Sequence, residues 1–136
     1  MGLAERRAAK DFETNTFPGL KKEIEDAAGF ALPIAVDWET LTTDGQASLY
    51  ADSWTKVYFT PLRDALKAIC IDEMGREALK KGVQKVVITN KEGIYYGDRM
   101  AKLEAGVLTL DHQPTTNVDD VKQRTEGIQK MLENAL

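Results

Sequence analysis

An apolar stripe in the middle of the chain constrains the fold more than any other feature. Between residues 50 and 70, large apolar side chains recur at spacings of three and four, the period of one face of an α-helix. The stripe consists of Tyr50, Trp54, Val57, Tyr58, Leu62, Ala65, Leu66, Ile69 and Cys70. Pro61 lies inside it and lacks the N–H that a helix interior needs. We therefore predict two helices, at about Gln46–Phe59 and Pro61–Lys81.

The ends of the second predicted helix carry suitable residues. Thr60 would cap it, Pro61 would occupy its first position and Gly82 would end it. Leu66 and Ile69 lie at the centre of the stripe, so we predict that both are deep core residues.

The first part of the chain also predicts helix. The stretch from Leu3 to Glu13 is rich in Ala, Arg and Glu, and Thr14-Asn15-Thr16 interrupts it. A second helix is expected from Phe17-Pro18 to Ala28, because Pro18 suits a first turn. We expect residues 1–16 to form a loosely attached N-terminal helix.

Strand patterns dominate the chain from Lys85 onward, with one earlier candidate. The strand candidates are Ile34–Trp38, Lys85–Thr89, Ile94–Tyr96, Met100–Glu104 and Val107–Leu110. Short connections, including a turn at Ala105-Gly106, predict antiparallel pairing of neighbouring strands. Asn117 is expected to cap a C-terminal helix.

This order predicts an α+β fold formed by a single domain over residues 1–136. N-terminal helices come first, then an antiparallel sheet of three to four strands, then a C-terminal helix. The helices are expected to pack on one face of the sheet. The other face is then the first place to look for a binding surface.

Composition narrows the possible partners. The formal net charge of −4 provides no basic surface for nucleic acid. No apolar run approaches the roughly 20 residues that span a membrane. With a single cysteine the chain cannot form an internal disulfide, which favours a cytoplasmic location. Secretion stays open, because Met1-Gly2 could replace a natural targeting segment.

Most catalytic constellations lack the residues they require. One histidine and one cysteine exclude the usual structural and protease zinc sites, and no phosphate-binding glycine motif is present. We predict no metal and no cofactor. A serine–histidine site would need Ser48 or Ser53 with His112, and no spacing brings them together. Cys70 lies near the apolar stripe beside Asp72 and Glu73, so we expect a buried, unreactive thiol.

Six residues remain as candidates for ligand binding. Asp37 and Glu39 flank Trp38 at the end of a predicted strand, where both carboxylates would face one side. Tyr95 and Tyr96 are adjacent on a predicted strand, so at least one must lie outside the core. The sixth candidate is His112, the single histidine.

Two hypotheses for function follow. The first is a non-catalytic binding or protein-interaction module, with a protein partner or a second copy of the chain. The second is a small enzyme or ligand-binding protein with a pocket of carboxylates and tyrosines. A pocket that gathers Asp37 or Glu39 with Tyr95, Tyr96 or His112 would favour the second hypothesis.

Overall fold

A layer of helices packs on a four-stranded sheet. The computed structural model describes residues 2–136. The α-helices are α1 Leu3–Asp11, α2 Phe17–Ala28, α3 Trp38–Leu41, α4 Tyr50–Trp54, α5 Thr60–Ile69, α6 Glu73–Gly82 and α7 Val121–Ala135. The strands are β1 Ile34–Val36, β2 Lys85–Thr89, β3 Ala101–Glu104 and β4 Val107–Asp111. Short 3-10 helices cover Ala47–Leu49 and Gly97–Arg99, and π-helical turns cover Phe12–Thr16 and Thr55–Phe59. The α+β class is confirmed.

Both prolines inside the helical stretches are accommodated without a break. Each follows a π-helical turn by two residues, Pro18 after Phe12–Thr16 and Pro61 after Thr55–Phe59. A proline ring crowds the carbonyl four residues earlier, and in both cases that carbonyl lies within the wider π turn. Residues 50–59 are helical as predicted, but the predicted breaks at Thr14–Thr16 and at Thr60 are wrong.

The break in the central helical region lies further along the chain. Cys70 ends α5, and Asp72 opens α6 by accepting a hydrogen bond from the Gly75 N–H at 2.8 Å. This is the N-cap arrangement that satisfies a free backbone donor in the first turn. The second predicted helix, Pro61–Lys81, is therefore two helices.

The sheet is mixed, so the prediction of an antiparallel sheet is wrong. The strand order is β1-β2-β4-β3, in which β1, β2 and β4 run parallel and only β3 pairs antiparallel with β4. The error arose from Ile94–Tyr96, which is not a strand. Residues 90–100 instead form one long connection to β3, and the hairpin then inserts β4 beside β2.

Two further boundaries and the chain order of the elements differ from the predictions. β1 ends at Val36, and Trp38 begins the short helix α3. β1 also lies among the helices in chain order, so helices and strands are less separated than predicted. Asn117 adopts a left-handed backbone, and α7 begins at Val121 with Asp120 at the N-cap position.

The core lies between the sheet and helices α2, α5 and α7. The side chains of Val86, Ile88, Leu108 and Leu110 point from the central strands into this layer and are fully buried. Leu66 is fully buried and Ile69 is 8% exposed, so their predicted core positions are confirmed. α5 packs against both α2 and α7.

Aromatic rings extend the core beneath the N-terminal helical segment. Phe12 is buried and lies 5.1 Å from Trp54 and 5.7 Å from Phe59, measured between ring centroids. Tyr50 stacks on Trp54 at 4.1 Å. The first helices therefore contact the core through Phe12. In the part of the chain that the structure describes, no helix is both long and apolar enough to cross a membrane.

Candidate functional site

The face of the sheet opposite the core carries a cavity of about 280 Å³. Alternating residues of the strands point to this face, and Val87, Thr109 and Lys102 form a row across it by strand register. The cavity is lined by Glu92, Ile94, Arg99, Met100, Lys102, Glu104, Val107, Thr109 and Asp111. It therefore lies between the β3–β4 hairpin and the connection that precedes it.

Charged groups of both signs surround this cavity. Arg99 and Lys102 are cationic, whereas Glu92 and Glu104 are anionic, and all four are exposed. None of the four forms an ion pair with another residue in the range 2–136. The cavity can therefore offer either sign of charge to a bound group.

Asp111 has a structural role at the edge of the cavity. Its Oδ1 accepts hydrogen bonds from the backbone N–H groups of Lys91 at 3.0 Å and Glu92 at 3.3 Å. These contacts fix the start of the connection that follows β2. The carboxylate thus shapes the cavity as well as lining it.

Two adjacent tyrosines lie next to the cavity. Tyr95 and Tyr96 are 49% and 51% exposed, and their rings meet edge to face at 5.5 Å. The Arg99 guanidinium lies over the Tyr96 ring, 5.9 Å from its centroid. We call Tyr95, Tyr96 and Arg99 the rim surface. It joins the cavity directly, because Arg99 belongs to both.

The backbone of the rim surface is anchored on both sides. The Asn117 side-chain amide donates to the Tyr95 carbonyl at 3.0 Å, and the Gln113 N–H donates to the Ile94 carbonyl at 2.6 Å. Gly97 lies against α7, where an added Cβ would come within 2.8 Å of the Arg124 Cα. Only glycine permits this approach.

Arg124 holds the surrounding loops together. It is 1% exposed and donates to the backbone carbonyls of Asn117 at 2.6 Å, Lys56 at 3.2 Å and Val118. Burial lowers the pKa of its guanidinium, and Asp120 opposes that effect. The side chain therefore connects α7 to the loop before it and to the π turn at Thr55–Phe59.

Asp37, Trp38 and Glu39 lie in a different place. Trp38 packs 5.3 Å from Phe17 and 5.7 Å from Phe12, between ring centroids. Asp37 is half-buried and Glu39 is exposed. Because β1 has already ended, the strand argument for two carboxylates on one face does not apply. Trp38 and Glu39 line a shallow cavity of about 260 Å³ with residues of α1.

His112 is buried on the helix side of the sheet, opposite the open face. Its Nδ1 lies 2.6 Å from the Gln113 carbonyl oxygen, and its own carbonyl accepts a hydrogen bond from the Tyr58 hydroxyl. Burial lowers the pKa of the imidazole, and the contact with the Gln113 carbonyl opposes this shift. The lowered pKa favours the neutral imidazole, and His112 is buried with the core.

Cys70 is half-buried at the end of α5. Its thiol donates to the Ala28 carbonyl at 3.7 Å. Burial raises the pKa of the thiol, and Arg76 partly counters this effect. Cys70 was predicted to be buried but is only half-buried, and its low reactivity stays a prediction.

The six predicted residues therefore fall into three groups. Tyr95 and Tyr96 are together at the rim surface, Asp37 to Glu39 lie beside α1, and His112 is in the core. Among the described residues, no group of three His, Cys, Asp or Glu side chains could hold a metal ion.

Comparisons of this chain with protein-family models, curated proteins and solved structures found no match. Its function must therefore be argued from its own geometry.

Sequence reasoning missed the charged part of this site. Arg99, Lys102 and Glu104 resemble any solvated surface charges when only the sequence is known. Gly127 was an available signal, since a glycine inside a predicted helix weakens it and often has a packing reason.

Proposed function

We propose that this chain is a single-domain, non-catalytic protein-interaction module that binds its partner through the rim surface and the adjoining cavity. The observation that carries the proposal is the pair of half-exposed tyrosines with Arg99 over one ring. Tyrosine and arginine are enriched among residues that dominate binding energy at protein interfaces.

The rim surface suits binding at a low entropic cost. A tyrosine presents a large contact area with few rotatable bonds and keeps a polar hydroxyl. Here the two rings contact each other and the backbone carbonyl of Tyr95 is hydrogen-bonded, which restricts both side chains. Less conformational freedom is therefore lost when a partner binds.

The cavity favours a partner segment that carries both signs of charge. Arg99 and Lys102 could receive a carboxylate, while Glu92 and Glu104 could receive a lysine or arginine side chain. An aromatic rim beside unpaired charges thus combines affinity from the rings with selection by charge.

The cavity lining includes no serine, cysteine or histidine, so any nucleophile or base there would have to be a carboxylate, Lys102 or Thr109. Of the three carboxylates, Asp111 is already engaged by two backbone N–H groups. The alternative, an enzyme or ligand-binding protein with a carboxylate and tyrosine pocket, needs Asp37 or Glu39 beside Tyr95, Tyr96 or His112. The separation of these groups argues against it.

We further propose that the protein works in the cytoplasm and binds neither nucleic acid nor membrane. The free thiol of Cys70 suits a reducing compartment. The net charge of −4 disfavours contact with phosphate-rich polymers.

The proposal can be tested by recovering tagged protein from its native cells and quantifying bound proteins by mass spectrometry. The test variant is Tyr95→Ser/Tyr96→Ser. The matched control is Ile71→Ser/Met74→Ser, because these apolar side chains are 82% and 79% exposed and lie near the far end of α7, beside Leu136.

We expect a specific partner with the wild-type chain, retained by the control and reduced at least about tenfold by the test variant, as for residues that dominate an interface. Equal recovery with the test variant would contradict the proposal. So would loss with the control alone, which would move the interface to Ile71 and Met74. Melting curves of both variants establish that each is folded.

A further inference from the structure

β3 is an edge strand with unpaired backbone groups. The Asp111 N–H donates to the Met100 carbonyl at 2.8 Å, which fixes the alternation of hydrogen-bonded pairs between β3 and β4. Lys102 and Glu104 then direct their backbone groups into the sheet, whereas Ala101 and Leu103 direct theirs outward. These outward groups bond to no other residue of the chain from Gly2 to Leu136. Such an edge is a template for another strand.

The side chains of β3 separate by chemistry. Lys102 and Glu104 are exposed on the open face of the sheet, and Ala101 and Leu103 are half-buried against the core. The register with β4 is continuous, and the strand contains no proline. Neither a bulge nor a proline therefore prevents pairing at this edge.

We propose that β3 pairs antiparallel with β3 of a second copy of this chain, about a two-fold axis at Leu103. Leu103 would face its counterpart, and each would donate to and accept from the other. Lys102 would then lie opposite Glu104 of the partner, and Glu104 opposite Lys102. These are non-hydrogen-bonded positions, where facing side chains are closest.

Charge selects this register over the neighbouring symmetric one. Pairing about Lys102 would place two lysines directly opposite each other, which is unfavourable on a strand pair. Pairing about Leu103 replaces that repulsion with two symmetric ion pairs. It also joins the two open faces into one continuous surface of two four-stranded sheets.

The pairing strands are short, with four residues in β3. Such an interface buries less area than a permanent dimer requires, so we expect a reversible dimer. The inference goes beyond the proposed function and rests on the strand edge, not on the tyrosines. Lys102 and Glu104 also line the cavity, so in the dimer they would pair across the two-fold axis, and Arg99 and Glu92 would remain the cavity charges open to a partner.

Charge reversal tests both the partner and the register. Sedimentation velocity from about 1 µM to about 1 mM covers the range of weak association. The samples are wild type, Lys102→Glu, Glu104→Lys, an equimolar mixture of these two variants, and the double variant Lys102→Glu/Glu104→Lys. Both positions are exposed, and melting curves establish that each sample is folded.

The wild type should dimerise, and each single variant should weaken the dimer at least about fivefold, because it places like charges opposite each other twice. The mixture and the double variant should recover wild-type association. A wild type that stays monomeric throughout overturns the proposal. Single variants that dimerise as tightly as the wild type, or a double variant that does not recover, overturn it equally.

Discussion

Gly127 lies in the middle of α7, where alanine would ordinarily be the better residue. An alanine Cβ at this position would lie 2.2 Å from the Gly97 carbonyl oxygen and 3.1 Å from the Asp98 Cα. Both atoms belong to backbone, so no flexible side chain can move aside. We predict that Gly127→Ala destabilises the protein although it improves helix propensity.

Two opposing terms set the size of this effect. Alanine favours a helix interior over glycine by up to about 1 kcal/mol. Ordinary van der Waals contact begins near 3.4 Å, so the 97–98 segment must move away from α7. Overpacking of this kind costs about 1–3 kcal/mol, with larger values where backbone must move. The expected net loss is about 1–2 kcal/mol, which lowers Tm by several degrees.

Gly19→Ala is the matched control. Gly19 is also helical, and an added Cβ there meets no atom within 4 Å. Urea denaturation should show Gly19→Ala unchanged or more stable by up to about 1 kcal/mol. If Gly127→Ala is as stable as the wild type, the close approach of Gly97 to α7 is wrong, and with it the anchoring of the rim surface.

Three further predictions concern the core. Leu66→Ala should cost about 2–5 kcal/mol in thermal or urea unfolding while the exposed Lys67→Ala changes little; equal losses would mean that the helix faces are misassigned. Burial holds the pKa of His112 below 6.5, so at acidic pH the unfolded chain binds more protons than the folded protein. The free energy of unfolding should therefore fall as the pH drops below that value, by at most about 1.4 kcal/mol per pH unit. His112→Gln should flatten this slope between pH 7 and 5.5, and an unchanged slope would exclude His112 as its source. Cys70, with its raised pKa, should react with a thiol reagent far more slowly in the native state than in urea; equal rates would show that it is accessible.

Local periodicity predicted the helices well. The apolar residues from Tyr50 to Cys70 recur with the helical period because they all pack on the same core. The single π turn at Thr55–Phe59 moves their positions around the helix only slightly. The rule that proline breaks a helix failed at Pro61, and the interruption predicted at Thr14–Thr16 is instead part of the π turn that precedes Pro18. A wider turn just before each proline relieves the clash at no cost to the buried face.

Strand pairing could not be predicted in the same way. Ile94 to Tyr96 has strong strand propensity, but tertiary contacts decide its conformation, including the bond from Gln113 to the Ile94 carbonyl and the approach of Gly97 to α7. Because that segment is a long connection and not a strand, the β3–β4 hairpin can place β4 beside β2 in parallel. Choice of pairing partner is a long-range property that short loops alone do not determine.

The candidate site was predictable only in its aromatic part. Adjacent residues of a predicted strand cannot share one core; the segment is not a strand, but both tyrosines are at the surface. The charges around the cavity carry no sequence signal, because a solvated charge and a binding charge look alike. Arg124 was missed for a related reason, since a buried arginine that bonds only to carbonyls has no partner visible in the sequence.

Photo-crosslinking in native cells tests the central claim most directly. A photoreactive phenylalanine analogue replaces Tyr96 in one variant. In the other it replaces Ile71, which lies between α5 and α6 and near the C-terminal end of α7. We predict that position 96 gives a discrete covalent adduct with another protein and that position 71 does not. An adduct only at position 71, or none at position 96 under conditions where the chain is folded and abundant, would contradict an interaction module that binds through the rim surface.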